Sequence, residues 1–269
     1  MSRPDPEAGI ETTSDSWLGG KLVLRQPAKG HRVGSDAALL AAAAPRAERI
    51  VDVGAGIGAV GLALLARMAD AKADLVEIDS SIAALAAENV AANGFAGRAR
   101  VVVADVAAAR SRRAGGLAEG AADLVVTNPP YFEAPDVRVS PDGRRARAHV
   151  FAREDEGRSA LAAWIVGALA LLAPGGRFVM IHRPEALAEI LASFGKRLGA
   201  VAVLPIYPYA DAPARRVLIA GVKGARGPLR VMPGLVLHEK SGVFTKEAEA
   251  LHRGETTIPL VEDRRGEHR

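Results

Sequence analysis

From Ile50 to Val222 the chain alternates short apolar runs with helical patterns, and no other feature constrains its fold as strongly. Strand-like runs occupy 50–53, 74–79, 100–104, 123–127, 177–182, 201–206 and 216–222, with helical patterns at 60–68, 82–93, 160–173 and 185–196. Short apolar strands separated by helices are covered on both faces, which makes their sheet mostly parallel. The last two runs are joined by only about ten residues, fewer than the dozen or more that a parallel crossover needs. The expected fold is therefore α/β and Rossmann-like, a mostly parallel seven-stranded sheet whose last strand runs antiparallel.

Residues 1–16 are polar and lack apolar periodicity, so a flexible N-terminal tail is expected there, with a second flexible tail at 253–269. Between them, 17–252 reads as one domain, opened by a cap segment at 17–45. That segment contains a short strand at 20–27, a turn at 29–32, and Ser35-Asp36 as the N-cap of a helix over 37–44. Of the 269 residues, 49% are hydrophobic, ample for a core of this size. There is no cysteine, which excludes a disulfide framework, a cysteine-bound zinc and a thiolate nucleophile. The six histidines (31, 149, 182, 238, 252 and 268) include no close pair at metal-ligand spacing, so no metal is expected. The polar, partly acidic start at 1–16 is expected to be neither a signal nor a transit peptide. The longest apolar run, Ala160–Ala173, has 14 residues where a membrane span needs roughly 20. No membrane contact and a cytoplasmic location are expected. A net charge of +4 is compatible with a polyanionic partner.

Asp52-Val53-Gly54-Ala55-Gly56-Ile57-Gly58 stands at the first strand-to-helix turn, where glycines let the backbone approach a ligand. Residues 56–61 also match the dinucleotide pattern G-x-G-x-x-G. Gly54 falls outside that match, however, and Asp52 at the strand end would repel a pyrophosphate. Glu77, followed by Ile78, ends the second strand, where an acid can accept ribose hydroxyls. Asp79 is its rival, with helix capping as the other role open to it. Asp105, followed by Val106, stands after the third strand, placed to accept from an adenine amino group. Asn128-Pro129-Pro130-Tyr131 follows the fourth strand, at the edge where ligands of open α/β sheets bind.

Together these features resemble class I methyltransferases, whose architecture is a parallel sheet ending in an antiparallel hairpin. The twelve-residue step from Glu77 to Asn89 is also similar to their spacing of acid and helix asparagine. The resemblance implies S-adenosylmethionine as cofactor, with its amino and sulfonium end facing Asp52 and with Gly54, Ala55, Gly56, Glu77, Ile78, Asp105, Val106 and Asn128 around it. Asn128–Tyr131 resembles the (D/N)PP(Y/F) motif of enzymes that methylate amino groups conjugated to a ring or carbonyl. Such a nitrogen is a poor nucleophile because its lone pair is delocalised. The Asn128 amide oxygen and the Pro129 carbonyl can each accept one of its N–H groups and so favour a pyramidal nitrogen. Pro130 stiffens the backbone, and Tyr131, with Phe132, offers a face for a flipped base.

The segment Gln26–Leu40, the run Arg144–Ala148 and Arg215-Arg216-Val217-Leu218 resemble the bacterial family that N6-methylates adenosine 37 of a valine tRNA. The resemblance covers about residues 18–252 and implies that Ser35-Asp36 helps close the cofactor pocket, a role compatible with an N-cap. It makes RNA, most simply tRNA, the expected partner. Arg144, Arg145, Arg147 and Arg215 are candidate RNA contacts, and Arg110, Arg112 and Arg113 form a second basic group. Each group reads equally as a solvated charged face. An rRNA or a protein glutamine amide remains a possible acceptor. A cofactor-binding module without catalysis and a nicotinamide enzyme are more remote readings.

Overall fold

The computed structural model describes residues 11–29, 32–130 and 159–261. An antiparallel hairpin, β1 (Thr12–Trp17) and β2 (Leu22–Pro27), comes first. Then follow α1 (Ser35–Ala43), β3 (Arg49–Val53), α2 (Ala59–Arg67), β4 (Lys72–Glu77), α3 (Ser80–Ala92), β5 (Ala99–Val103), α4 (Ala109–Ala114) and β6 (Ala122–Thr127). Beyond them lie α5 (Ala160–Leu171), β7 (Leu172–His182), a 3-10 turn at Pro184–Ala186, α6 (Leu187–Phe194), β8 (Leu198–Tyr207) and β9 (Arg216–Lys223). Two-residue strands β10 (Arg230–Val231) and β11 (Leu235–Val236) precede α7 (Lys246–His252).

The seven long strands stand in the order β5-β4-β3-β6-β7-β9-β8, and β10 and β11 both pair in parallel with the outer side of β8. Strands β3 to β7 are mutually parallel, while β9 runs antiparallel to both of its neighbours. The expected topology holds, extended by two strands too short to leave a periodic signal.

Period-two alternation divides each strand between two cores. Ile50, Leu124, Val126, Val179 and Ile181 pack under α1 and α2. Val51, Val53, Val125, Phe178 and Met180 pack under α5 and α6. Covering both faces explains why the strands read as nearly continuous apolar runs.

Four expectations need correction. Residues 12–16 are not a tail, because they pair with β2, although TTSDS carries no apolar alternation. The C-terminal tail begins later than residue 253: Ile258 and Leu260 are buried, and the Ile258 N–H donates to Ala42 O at 2.9 Å. The Gly/Arg-rich stretch 111–120, whose composition reads as a loop between two strands, instead starts inside a helix, α4. Finally, Ser35-Asp36 does not cap α1. Gly34 is the cap residue and has no side chain with which to bond, while Asp36, inside the helix, pairs with Arg216 across the molecule at 2.8 Å.

Candidate active site

The C-terminal ends of β3, β4, β5 and β6 lie along one edge of the sheet, and each is followed by residues that the sequence singles out. After β3 the chain turns sharply, and the Gly54 and Ala55 N–H groups both donate to Val76 O at 2.9 Å. Gly54 has φ +70°, and a Cβ there would lie 2.8 Å from the Trp164 indole. Gly56 has φ +55° and nothing within 4 Å of where its Cβ would stand, so this backbone borders open space.

Glu77 is tied to that loop. Its Oε2 accepts from Gly56 N–H at 2.9 Å, and its Oε1 accepts from Ile78 N–H at 2.8 Å and Asp79 N–H at 3.0 Å. Three of the roughly four acceptor positions of the carboxylate are thus taken by backbone. Asp79 is the N-cap of α3, accepting from Ser81 N–H and Ile82 N–H. The Ser81 hydroxyl, first among its partners, holds the Asp79 carboxyl below the usual range.

Asp52 is 2% exposed and lies on the same strand face as Ile50, beneath α2. Its Oδ2 accepts from Gly61 N–H at 2.8 Å, in the first turn of that helix. The carboxylate expected to face a cofactor therefore anchors the helix that follows the glycine loop. Burial, reinforced by the charge of Glu77 and opposed by the Gly61 bond, pushes its pKa up to about 7. A Cβ on Gly61 would stand 2.1 Å from the Leu75 side chain, so the helix start packs tightly on the sheet.

Beyond β5, Asp105 Oδ1 accepts from Ala107 N–H at 2.9 Å, and Val106 is buried. Gly54, Ile78, Asp105, Val106 and Trp164 line a narrow cleft that opens to solvent. Its walls are mainly apolar side chains with one carboxylate, a composition suited to a flat heterocycle carrying an amino group. Open backbone at Gly56, an acid beside it and this cleft fit S-adenosylmethionine.

After β6, Asn128 is half-buried, Pro129 buried and Pro130 exposed. Just before them, Thr127 Oγ1 donates to Val53 O at 2.8 Å and accepts from Trp164 Nε1 at 3.0 Å, joining β3, β6 and α5. Tyr131, Phe132, Arg144, Arg145 and Arg147 lie outside the described residues. Arg215 is exposed, next to Arg216 and its Asp36 partner. Ser35 begins α1 beside that pair. The second basic group divides: Arg110 and Arg113 are exposed, whereas Arg112 is 5% exposed. Arg112 donates to Val106 O at 2.6 Å and pairs with Glu119 at 2.8 Å. It braces the loop that carries Asp105 and is not an RNA contact.

Trp164 and Thr127 are absent from the sequence-based site. The signal for Trp164 was its bulk, as one of only two tryptophans, within an otherwise aliphatic helix. Thr127 left none, since a strand-end threonine is common. Among the described residues no group of three or more His, Asp or Glu is placed to hold a metal, and no helix is long and apolar enough to cross a membrane.

Residues 30–140 match the family model of the methyltransferase small domain. The tRNA1(Val) (adenine(37)-N6)-methyltransferase of Aeromonas hydrophila is 34% identical over 80% of this chain and 85% of its own. The release factor glutamine methyltransferase of Cereibacter sphaeroides is 32% identical over a smaller share, 58% of this chain and 54% of its own. Among solved structures, a predicted O-methyltransferase of Agrobacterium tumefaciens superposes with a TM-score of 0.69 and 31% identity, over 83% of this chain and 98% of that one. Fold, glycine loop and coverage agree: the chain is an S-adenosylmethionine-dependent methyltransferase and belongs to the family of the tRNA1(Val) (adenine(37)-N6)-methyltransferases.

Proposed function

We propose that the protein methylates N6 of adenine 37 in tRNA1(Val). The observation that carries this reading is Asn128-Pro129-Pro130 leaving the end of β6, on the same strand-end edge as the glycine loop, Glu77 and Asp105. Bound S-adenosylmethionine supplies an electrophilic methyl group on a sulfonium. Glu77 would take one ribose hydroxyl in its remaining acceptor position while keeping Gly56 in place. Asp105 would accept from the adenine amino group of the cofactor, between Ile78 and Val106. Asp52 acts through Gly61, holding the loop and α2 in register.

Asn128 Oδ1 and the Pro129 carbonyl would accept the two N–H groups of the target amine. Both are acceptors without a proton to give, so they stabilise the positive charge that grows on nitrogen as the methyl arrives. Neither is basic enough to keep the proton that N6 then loses, which passes to solvent. A hydroxyl acceptor has only one proton to place, so paired acceptors favour an amine. Tyr131 would stack the flipped base, and Arg144, Arg145, Arg147 and Arg215 would contact RNA phosphates.

Incubation of the protein with S-adenosylmethionine and unmodified transcripts of valine and non-cognate tRNA, followed by nucleoside mass spectrometry, tests this reading. N6-methyladenosine confined to the valine transcript is the expected result. The partial likeness to a glutamine methyltransferase makes label on a release-factor peptide, with none on RNA, the alternative outcome. Asn128→Ala should retain cofactor affinity and lose roughly 10²-fold in turnover. Unchanged turnover would remove Asn128 from the chemistry.

A further inference from the structure

Four rings form a continuous ladder far from the glycine loop. Tyr209 lies 5.6 Å from His238, His238 stacks on Phe244 at 4.8 Å and 21°, and Phe244 stacks on His252 at 4.4 Å and 27°. The rings come from three segments: the turn after β8, the stretch from β11 to α7, and the end of α7. Ring contacts with backbone fix the ladder. His238 Nδ1 donates to Pro208 O at 3.1 Å, His252 Nδ1 donates to Ala248 O at 2.6 Å, and a bridge pairs His238 with Phe244. Packing of the 235–252 segment accounts for the inner rings. It does not account for the far side of Tyr209, the end ring, which remains 40% exposed; Phe244, 38% exposed, is held between two imidazoles and shows its edge. In a chain with 4% aromatic residues, an exposed ring fixed at the end of a stack is a costly use of apolar surface.

The position of the ladder gives it a direction. Strands β8 and β11 run parallel to β7 and hence to β6, so Tyr209 and His238 leave the sheet from the same edge as Asn128. Between β6 and β8 stand β7 and β9, and three strand spacings amount to about 14 Å. The segments that carry the ladder also carry exposed Arg215, Lys240 and Lys246, together with exposed Asp211, Glu239 and Glu247. This mixed charge makes a poor track for a phosphate backbone alone. Ring faces beside a few cations suit unpaired bases, because every base has a π-face to stack.

We infer that Tyr209, at the open end of the ladder, is a stacking platform for an unpaired nucleotide that flanks the methylated base. It rests on the RNA reading above and adds the surface on which the loop is held. Tyr209 is a positioning residue here, since it touches neither the target amine nor the cofactor.

The test measures binding and steady-state methylation of an unmodified valine tRNA anticodon stem-loop, with a base-paired RNA of equal length as control. Tyr209→Ala is expected to raise the stem-loop Kd and KM about 10-fold, the scale of one lost base–aromatic stack. Turnover, S-adenosylmethionine affinity and duplex binding should stay as in wild type, and Tyr209→Phe should restore the loss. Because stacking releases no counterions, the slope of log Kd against log salt should not change. Tyr209→Leu keeps an apolar side chain without a ring and serves if the alanine variant unfolds. Wild-type stem-loop affinity in a folded Ala or Leu variant overturns the inference and leaves the substrate reading intact. Wild-type protein that neither binds nor methylates RNA overturns both. A change in self-association with RNA affinity unaltered would assign the ladder to contacts between copies, and overturns the inference as well.

Discussion

Two carboxylates near the glycine loop behave differently because their surroundings differ. Glu77 is half-buried and shares its oxygens among three backbone N–H groups, whereas Asp52 is sealed beneath α2 with one. Glu77→Ala should weaken S-adenosylmethionine binding at least 10-fold by calorimetry, since one charge-assisted bond is worth about 1.5–3 kcal/mol. Asp79→Ala should leave cofactor affinity unchanged and cost about 1 kcal/mol of stability through the lost helix cap. The reverse pattern would transfer the ribose role to Asp79. Asp52 carries a pH dependence whose sign is fixed. Its folded pKa, near 7, stands above the 3.8 of an aspartate in water. Folding is therefore favoured by this group below about pH 4, and that advantage is lost progressively as pH rises to about 7, by at most roughly 1.4 kcal/mol per pH unit. Asp52→Asn removes the titration and keeps an acceptor for Gly61. Urea unfolding at pH 5 and pH 8 should show the variant gaining on wild type at the higher pH. A constant difference between the two would mean that Asp52 does not titrate in this range.

The β1–β2 hairpin is fastened to the domain by two asparagines one turn apart, Asn89 on α3 and Asn93 at its C-cap. Asn89, fully buried, accepts from Arg25 N–H at 2.7 Å and donates to Arg25 O at 2.9 Å and Ile57 O at 3.0 Å. Asn93 exchanges bonds of 3.0 and 2.8 Å with Val23. Asn89→Ala removes the side-chain partner of three backbone groups, one of them buried, and should cost about 2–4 kcal/mol, against about 1 kcal/mol for the more exposed Asn93→Ala. Equal losses in chemical denaturation would count against the special place of Asn89. The asparagine spacing was visible in the sequence, but the strand it holds was not. Strands β3 to β9 were legible because burial on both faces writes itself as apolar runs. By contrast, β1 is a polar segment that exists by pairing with β2. Helix α4 hid in the same way, since its burial is carried by an arginine, Arg112, whose partners Val106 and Glu119 lie outside its own span.

At the scale of the whole molecule, one sheet edge gathers the cofactor loop, the tetrapeptide and the aromatic ladder. The acids at the strand ends were legible as a set, because topology places successive strand ends together. The direction of the Asp52 side chain was not, since it depends on which strand face α2 covers. Helix α7 packs on α1, and residues 258–260 close the same side, with Leu260 1% exposed. Ending the chain after Gly254 removes Ile258 and Leu260 from that core and should cost about 3–5 kcal/mol by apolar burial, read as a lower urea midpoint. An unchanged midpoint would make the segment a passive strap. Asn89 also bears on how such a chain can drift over generations. Its amide joins backbone from positions 25, 57 and 89, spending both N–H donors and the oxygen. Aspartate lacks the donors and glutamine is longer by one methylene, so no one-step replacement serves all three segments. Lineages carrying this hairpin are free to vary its polar outer strand while position 89 stays locked until a second change elsewhere releases it.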